Sequence, residues 1–359
     1  MKEPMSSLGK GSLVARALAG SWRRVGRTPL QLSQGELDEV TPLLYGSGGA
    51  ALGWWRVRET ELRSSPSAEV LHQAYQLQVL QSGIHEQKIQ KVFRLLRAES
   101  IEPILVKGWA AALSYPDQAL RPYGDIDICV RPQDFRAAEI VLARPEAKDC
   151  WVDLHKRFQE LGERSVEELL SRSRLVGLNG EKIRILSLED HLALLAIHLL
   201  KHGAWRPLWL CDIGAAVESV PSDFDWRLCL GQNERKASWV ICAIGLANLL
   251  LGAEIDHLTF AKKARELPGW LVSNVLKQWN APFSINQPPM SHPGPMANYL
   301  LRPRGLLRAL RKRWPDPIIA TVSVNGRFTE FPRLPYQLGN CGARIAQFLL
   351  KLPGLSSAK

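Results

Sequence analysis

The sequence predicts an α/β (α+β) core with a small mixed sheet, embedded in a largely helical chain. Three observations carry this expectation. Helix and strand patterns alternate over residues 67–160. One segment, Gly124-Asp-Ile-Asp-Ile-Cys-Val130, alternates acid and apolar residues with the period of two that marks a strand. Beyond residue 160 the apolar residues recur at helical spacing.

The elements follow in order. Residues 1–35 are polar, basic and rich in Gly and Ser, and are expected to be poorly ordered. Short helical patches over 36–44 and 54–62 are parted by Gly46-Ser-Gly-Gly49. Residues 67–99 read as one helix, because Val70, Leu71, Tyr75, Leu80, Ile84, Ile89, Val92, Phe93 and Leu96 lie near helical spacing and Pro is absent. A short apolar run at 102–106, bounded by Pro103 and Lys107-Gly108, reads as a buried strand. A short helix over 109–115 ends at Pro116. After the 124–130 strand, Pro132 opens a helix to Leu142. Residues 149–154 form a further strand. Helices are expected over 166–173, 188–203, 208–220, 226–233 and 236–252, with a short hairpin around Asn179-Gly180. From about residue 280 the chain is rich in Pro, and 343–352 reads as a final apolar helix. The expected organisation is a basic, partly disordered helical region over 1–66, a catalytic core over 67–160, a helical domain completing the cleft over 161–280, and a Pro-rich basic region over 281–359.

Bulk properties narrow the class. The chain has 359 residues, a 46% hydrophobic fraction and 23% charged residues. That size buries a full core without disulfides or structural zinc. Its six cysteines form no CxxC pair and several sit in apolar runs, so they read as buried small hydrophobes in a reducing compartment. The formal net charge is +11. Basic proteins attract polyanions, but the arginines here are spread along the chain, and nucleic acid is not the expected partner. The basic amphipathic stretch over 300–314 reads as a packed helix with a basic solvent face, with contact to an anionic membrane surface as the alternative. No run of about 20 apolar residues and no secretory h-region occurs, so the expected location is cytoplasmic.

The chemistry concentrates around the alternating strand. Residues i and i+2 of a strand share a face. Asp125 and Asp127 are therefore expected to project together, with Ile126 and Ile128 on the opposite, apolar face. Two carboxylates on one face repel unless a cation lies between them. Mg²⁺ is satisfied by one or two carboxylates plus substrate phosphates. Cys150-Trp-Val-Asp153-Leu-His155 offers a third carboxylate one crossover helix later, and Asp153 shares its face with His155. Asp125, Asp127 and Asp153 are the expected catalytic and metal-binding residues. His155 is expected to orient a carboxylate or contact phosphate. Gly108, at a strand-to-helix junction, lets backbone approach a phosphate, and Lys107 adds positive charge. Arg121 lies within reach of a triphosphate or of the third carboxylate.

Taken together, Ile104-Leu-Val-Lys-Gly-Trp-Ala-Ala-Ala-Leu113, Tyr115-Pro116, Arg121-Pro122, Gly124 to Val130, Val152-Asp-Leu-His155, His198-Leu-Leu-Lys-His202 and Leu208-Trp-Leu-Cys-Asp-Ile213 resemble an uncharacterised bacterial nucleotidyltransferase family of the DNA polymerase β-like superfamily. The resemblance spans about residues 70–255. It implies an NTP substrate, Mg²⁺ (or Mn²⁺) and transfer of a nucleotidyl group to an unknown acceptor. The chain departs from the pattern twice: Lys107-Gly108 stands where the superfamily usually has Gly-Gly or Gly-Ser, and the connection over 142–151 is short. Within this reading His198 and His202 face the nucleotide. Two rival readings remain. One is a catalytically degenerate, nucleotide-binding or regulatory copy of the same fold. The other is a His/Asp metal phosphohydrolase, which requires His191, His198, His202 and Asp212 to converge on a metal.

Overall fold

A single long helix ties a sheet to a helical body. The computed structural model describes residues 7–25, 29–162, 164–280 and 314–350. The long helix, α4 (Pro66–Ala98), follows α1 (Ser7–Leu18), α2 (Gln34–Ser47) and α3 (Ala50–Val57). It runs for 33 residues, about 50 Å at 1.5 Å per residue. Ser65 starts it by accepting a hydrogen bond from Ala68 N, and Pro66 stands at the first helical position, where no N–H is needed. Ala68 and Leu71 near its start pack into the helical body. Ile89, Val92, Phe93 and Leu96 near its end pack under the sheet.

The sheet has five strands in the order β3-β2-β1-β5-β4. These are β1 (Ile104–Leu105), β2 (Ile126–Cys129), β3 (Val152–His155), β4 (Arg174–Leu178) and β5 (Glu181–Ile185). It is mixed: β1 runs antiparallel to β2 and parallel to β5, β2 is parallel to β3, and β4 is antiparallel to β5. The predicted hairpin is β4–β5, and Asn179 and Gly180 both take positive φ in its turn. The helix α5 (Gly108–Ala112) follows β1. The crossover from β2 to β3 is α6 (Phe135–Leu142), and the short connection behind it suffices to place β3 beside β2.

Strand alternation divides the sheet into two faces. Ile126 and Ile128 pack with the end of α4, with Trp109 and Ala112, and with Ala138 and Val141 of α6. Ile104, Val106 and Cys129 instead join the core of the helical body. Asp127, between Ile126 and Ile128, thus faces that body.

The helical body holds α7 (Val166–Arg172), α8 (Leu188–Lys201), α9 (Pro207–Glu218), α10 (Trp226–Leu230), α11 (Glu234–Leu251), α12 (Ala261–Arg265), α13 (Gly269–Trp279), α14 (Pro317–Ser323) and α15 (Leu334–Leu350). The first helices belong to it as well. Poor order was expected over residues 1–35, yet α1 buries Leu13, Val14, Ala15, Ala17 and Leu18, with Trp22 just beyond it. The physical reason is close packing that composition does not report. Gly11 lies so near α13 that an added Cβ would stand 2.0 Å from the Leu276 carbonyl oxygen. Trp22 and Arg23 both donate to the Glu218 carboxylate. The final helix begins earlier than the sequence pattern suggested, at Leu334. Most of the Pro-rich region expected from residue 281, including 300–313 of the basic stretch, lies outside the described residues. No helix among the described residues is long and apolar enough to cross a membrane.

Candidate active site

The register of β2 and β3 sets the site. Asp127 stands opposite Asp153, and Cys129 opposite His155. The His155 ring lies between the two carboxylates, with Nε2 3.2 Å from Asp127 Oδ1 and 3.3 Å from Asp153 Oδ2. Donor atoms of Asp127, Asp153 and His155 all fall within 4.8 Å of one another, the one such group among the described residues. Ligands of a divalent cation bound at about 2.1 Å stand about 3 Å apart when adjacent, so this donor set fits a cation. Asp127 is buried, whereas Asp153 on the edge strand is open to solvent.

Lys107 completes the charge balance. Its Nζ donates to Asp127 Oδ1 at 2.8 Å. Burial pushes the Asp127 carboxyl up, but the His155 hydrogen bond and the Lys107 charge outweigh it and hold the group below its ordinary range. The backbone here is unusual. Lys107 has φ 53° and ψ −136°, and Gly108 follows at φ 23°. For a lysine that is a sparsely populated conformation, sustained by its surroundings and found most often at functional positions. It turns the chain from β1 into α5, and a Cβ on Gly108 would meet the Tyr123 side chain at 3.4 Å.

Asp125 takes a different place from the one expected. Asp125 lies one residue before the first paired residue of β2 and is exposed and outside the three-donor group. Its charge acts instead on His85 and Arg206. Arg121 is likewise engaged elsewhere. Its Nη2 donates to Asp212 Oδ2 at 2.7 Å and its Nε to Oδ1 at 3.1 Å, while Tyr115 Oη donates to the same Oδ1 at 2.8 Å. This buried pair clamps the segment before β2 to α9 and leaves Arg121 away from the role of phosphate ligand.

The four residues of the phosphohydrolase reading do not assemble. Asp212 is held by Arg121 and Tyr115, and His191 is buried, with no partner for Nε2 among the described residues. Burial is the largest cause of a His191 pKa pushed down to about 4. His198 and His202 do come together, but with aromatic rings. Their centroids are 4.4 Å apart, and both rings contact Trp209. The Lys107 charge acts on both histidines, so both lie on the side of the sheet that Lys107 faces. Burial, with Lys107, pushes His198 down to about 2.

Two groups in the cleft were not singled out from sequence. Glu160, on the connection after β3, accepts from Lys201 at 2.8 Å, and burial and Lys201 act on it in opposite senses. The second group is Trp205-Arg206 with Trp209. A pair of tryptophans flanking an arginine at a helix start was the available signal.

A family model described as an uncharacterised nucleotidyltransferase matches residues 38–252, more than half of the chain. The matched span includes the whole sheet, Lys107, Asp127, Asp153, His155 and the corner formed by α8 and α9. No curated protein and no solved structure matches.

Proposed function

Since the chain belongs to this nucleotidyltransferase family, we propose that it transfers a nucleotidyl group from an NTP to a hydroxyl acceptor, with Asp127, Asp153 and His155 holding a divalent cation, Mg²⁺ or Mn²⁺. The observation that carries this reading is the convergence of those three donors on adjacent parallel strands. Bound there, such a cation supplies positive charge to phosphate oxygens and lowers the barrier electrostatically. A mixed oxygen and nitrogen donor set suits Mn²⁺ at least as well as Mg²⁺, because imidazole is a better ligand for transition metals.

The chain's own groups then divide the work. Gly108 lets the β1–α5 turn approach the phosphates, and Lys107 neutralises them. Asp125, exposed beside the donor group, is assigned in this reading to the incoming substrate and its cation. The acceptor hydroxyl oxygen bonds to the α-phosphorus, the α–β bridging bond breaks, and pyrophosphate leaves with that electron pair. Asp153, the exposed carboxylate, takes the hydroxyl proton. Arg121 contributes by fixing the segment before β2, and His198 and His202 line the nucleotide side of the cleft. Preorganised charge and alignment provide most of the rate in such phosphoryl chemistry.

The test is pyrophosphate release from each NTP with Mn²⁺ or Mg²⁺ and a panel of hydroxyl acceptors. Asp127→Asn and Asp153→Asn are expected to lower release by about a thousandfold or more, several kcal/mol of lost electrostatic stabilisation, with the fold retained. Near-normal turnover in both variants would show that the reacting strand is misassigned. Cation-dependent NTP binding without turnover on any acceptor would favour a silent, nucleotide-binding member.

A further inference from the structure

We propose that the corner between α8 and α9 is a nucleobase-stacking subsite, with Trp209 as its platform, His198 and His202 as its walls and Arg206 at its edge. The proposal rests on the nucleotidyl-transfer reading and adds to it the part of the substrate that this wall takes.

The geometry is that of a partly exposed aromatic corner. The His198 ring meets the Trp209 indole edge-on, with centroids 4.8 Å apart and planes at 73°. His202 lies 5.4 Å from the same indole, and Trp205 braces it from another side at 5.1 Å. The Arg206 guanidinium stands 5.8 Å from the indole centroid and is tethered by its Nε to the Ser47 carbonyl at 2.9 Å. Gly48, at φ 80°, closes over it so tightly that a Cβ there would come within 2.6 Å of Arg206 Nη2. The cluster is not sealed into the core. Here His202 is exposed, and His198, Trp205, Arg206 and Trp209 are all half-buried.

Charge decides what the corner takes. His198 and His202 are both held toward the neutral form, by desolvation of their rings against Trp209 first and the Lys107 charge second, although the His202 residue as a whole is exposed. Neutral imidazoles make poor phosphate ligands but retain π-faces for stacking. Phosphate has a better place beside the Lys107 ammonium. A molecule whose anionic end sits at Lys107 and whose flat aromatic end reaches the α8–α9 corner is a nucleotide, and base stacking tolerates every base because each has a π-face. Arg206 adds a cation that stacks on the base or donates to its edge.

Calorimetry on the full chain with Mn²⁺ separates base from phosphate, using each of the four NTPs and inorganic tripolyphosphate as probes. The best-binding NTP is expected to exceed tripolyphosphate by roughly 5- to 150-fold, the range of one base–aromatic stack. Trp209→Leu is expected to remove most of that margin and leave tripolyphosphate binding unchanged. His202→Ala, at the exposed rim, is expected to lower NTP affinity alone by a smaller factor, and it guards against a folding defect in the tryptophan variant. Equal affinity of the wild type for NTP and tripolyphosphate would overturn the subsite and leave the nucleotidyl-transfer reading standing. So would an equal loss of both ligands in His202→Ala. Binding of neither ligand in the presence of cation would sink that reading and the subsite together.

Discussion

Two buried aspartates meet cations in this molecule, and their surroundings could hardly differ more. Asp212 takes a two-point contact from Arg121 and a third hydrogen bond from Tyr115, and its side chain is 0% exposed. Each oxygen is satisfied and no path leads to solvent. Asp127 shares one oxygen between Lys107 and His155, and it neighbours Asp153, whose side chain is 58% exposed. The first arrangement is a closed joint between the segment before β2 and the helical body. The second is an open set of donors that can exchange partners. The lesson is that burial and an ion pair do not by themselves mark a reacting group, whereas spare coordination at a solvent edge does.

The largest expected effect tests that contrast on stability. Asp212→Ala leaves the Arg121 guanidinium buried without its counter-charge, and breaking such a pair costs about 3–5 kcal/mol. Asp127→Ala is expected to cost less, about 1–2 kcal/mol, because the Lys107 and His155 side chains beside it are 17% and 26% exposed and can recover water. Urea unfolding of both variants measures the difference. Comparable losses in the two would erase the distinction between joint and site.

What the sequence revealed follows the same line. Period-two alternation placed Asp127 opposite Ile126 and Ile128, and it paired Asp153 with His155 on one face, because strand geometry is local. Asp125 precedes the first paired residue of β2 and stands outside the three-donor group, where strand alternation constrains a side chain less. Sequence offers Arg121 a triphosphate or the third carboxylate, whereas its partner Asp212 lies 91 residues away, and no local pattern reports such a pairing. The α1 region differs from expectation for a related reason: a polar, basic composition rich in Gly and Ser suggests poor order, but Gly11 permits close contact with α13 and Arg23 reaches Glu218.

A smaller effect concerns acid, and it also separates the two regions. His191 lies beside the closed joint. Burial lowers its pKa to about 4 from the ordinary 6.5, with Asp212 opposing the shift and Arg121 adding to it. As pH falls below about 6.5 the unfolded chain takes a proton at this residue before the folded one does. Stability from His191 is therefore present above that pH and is lost down to about pH 4, by on the order of 2 kcal/mol between pH 7 and 5. Unfolding free energies at these two pH values check it. In His191→Leu the pH slope is expected to flatten. An unchanged slope would place the acid sensitivity elsewhere.

The smallest expected effect probes the open set directly. Lys107 Nζ holds the same Asp127 oxygen that the cation site would use. Without nucleotide, an incoming cation must displace the ammonium and tolerate its like charge. A unit charge and a divalent cation about 4 Å apart repel by about 2 kcal/mol at the dielectric of water, and screening at physiological salt leaves about 1 kcal/mol, which is about a fivefold change in affinity. Lys107→Met is therefore expected to bind Mn²⁺ alone about fivefold more tightly than the wild type. With NTP present the sign reverses, because the freed lysine charge is what meets the phosphates. Titration of Mn²⁺ with and without NTP, followed by the loss of its free electron-spin signal, reads both arms. If Lys107→Met bound Mn²⁺ alone more weakly, Lys107 would be a support of the donor set rather than its competitor, and Asp127 would be closed in the same sense as Asp212.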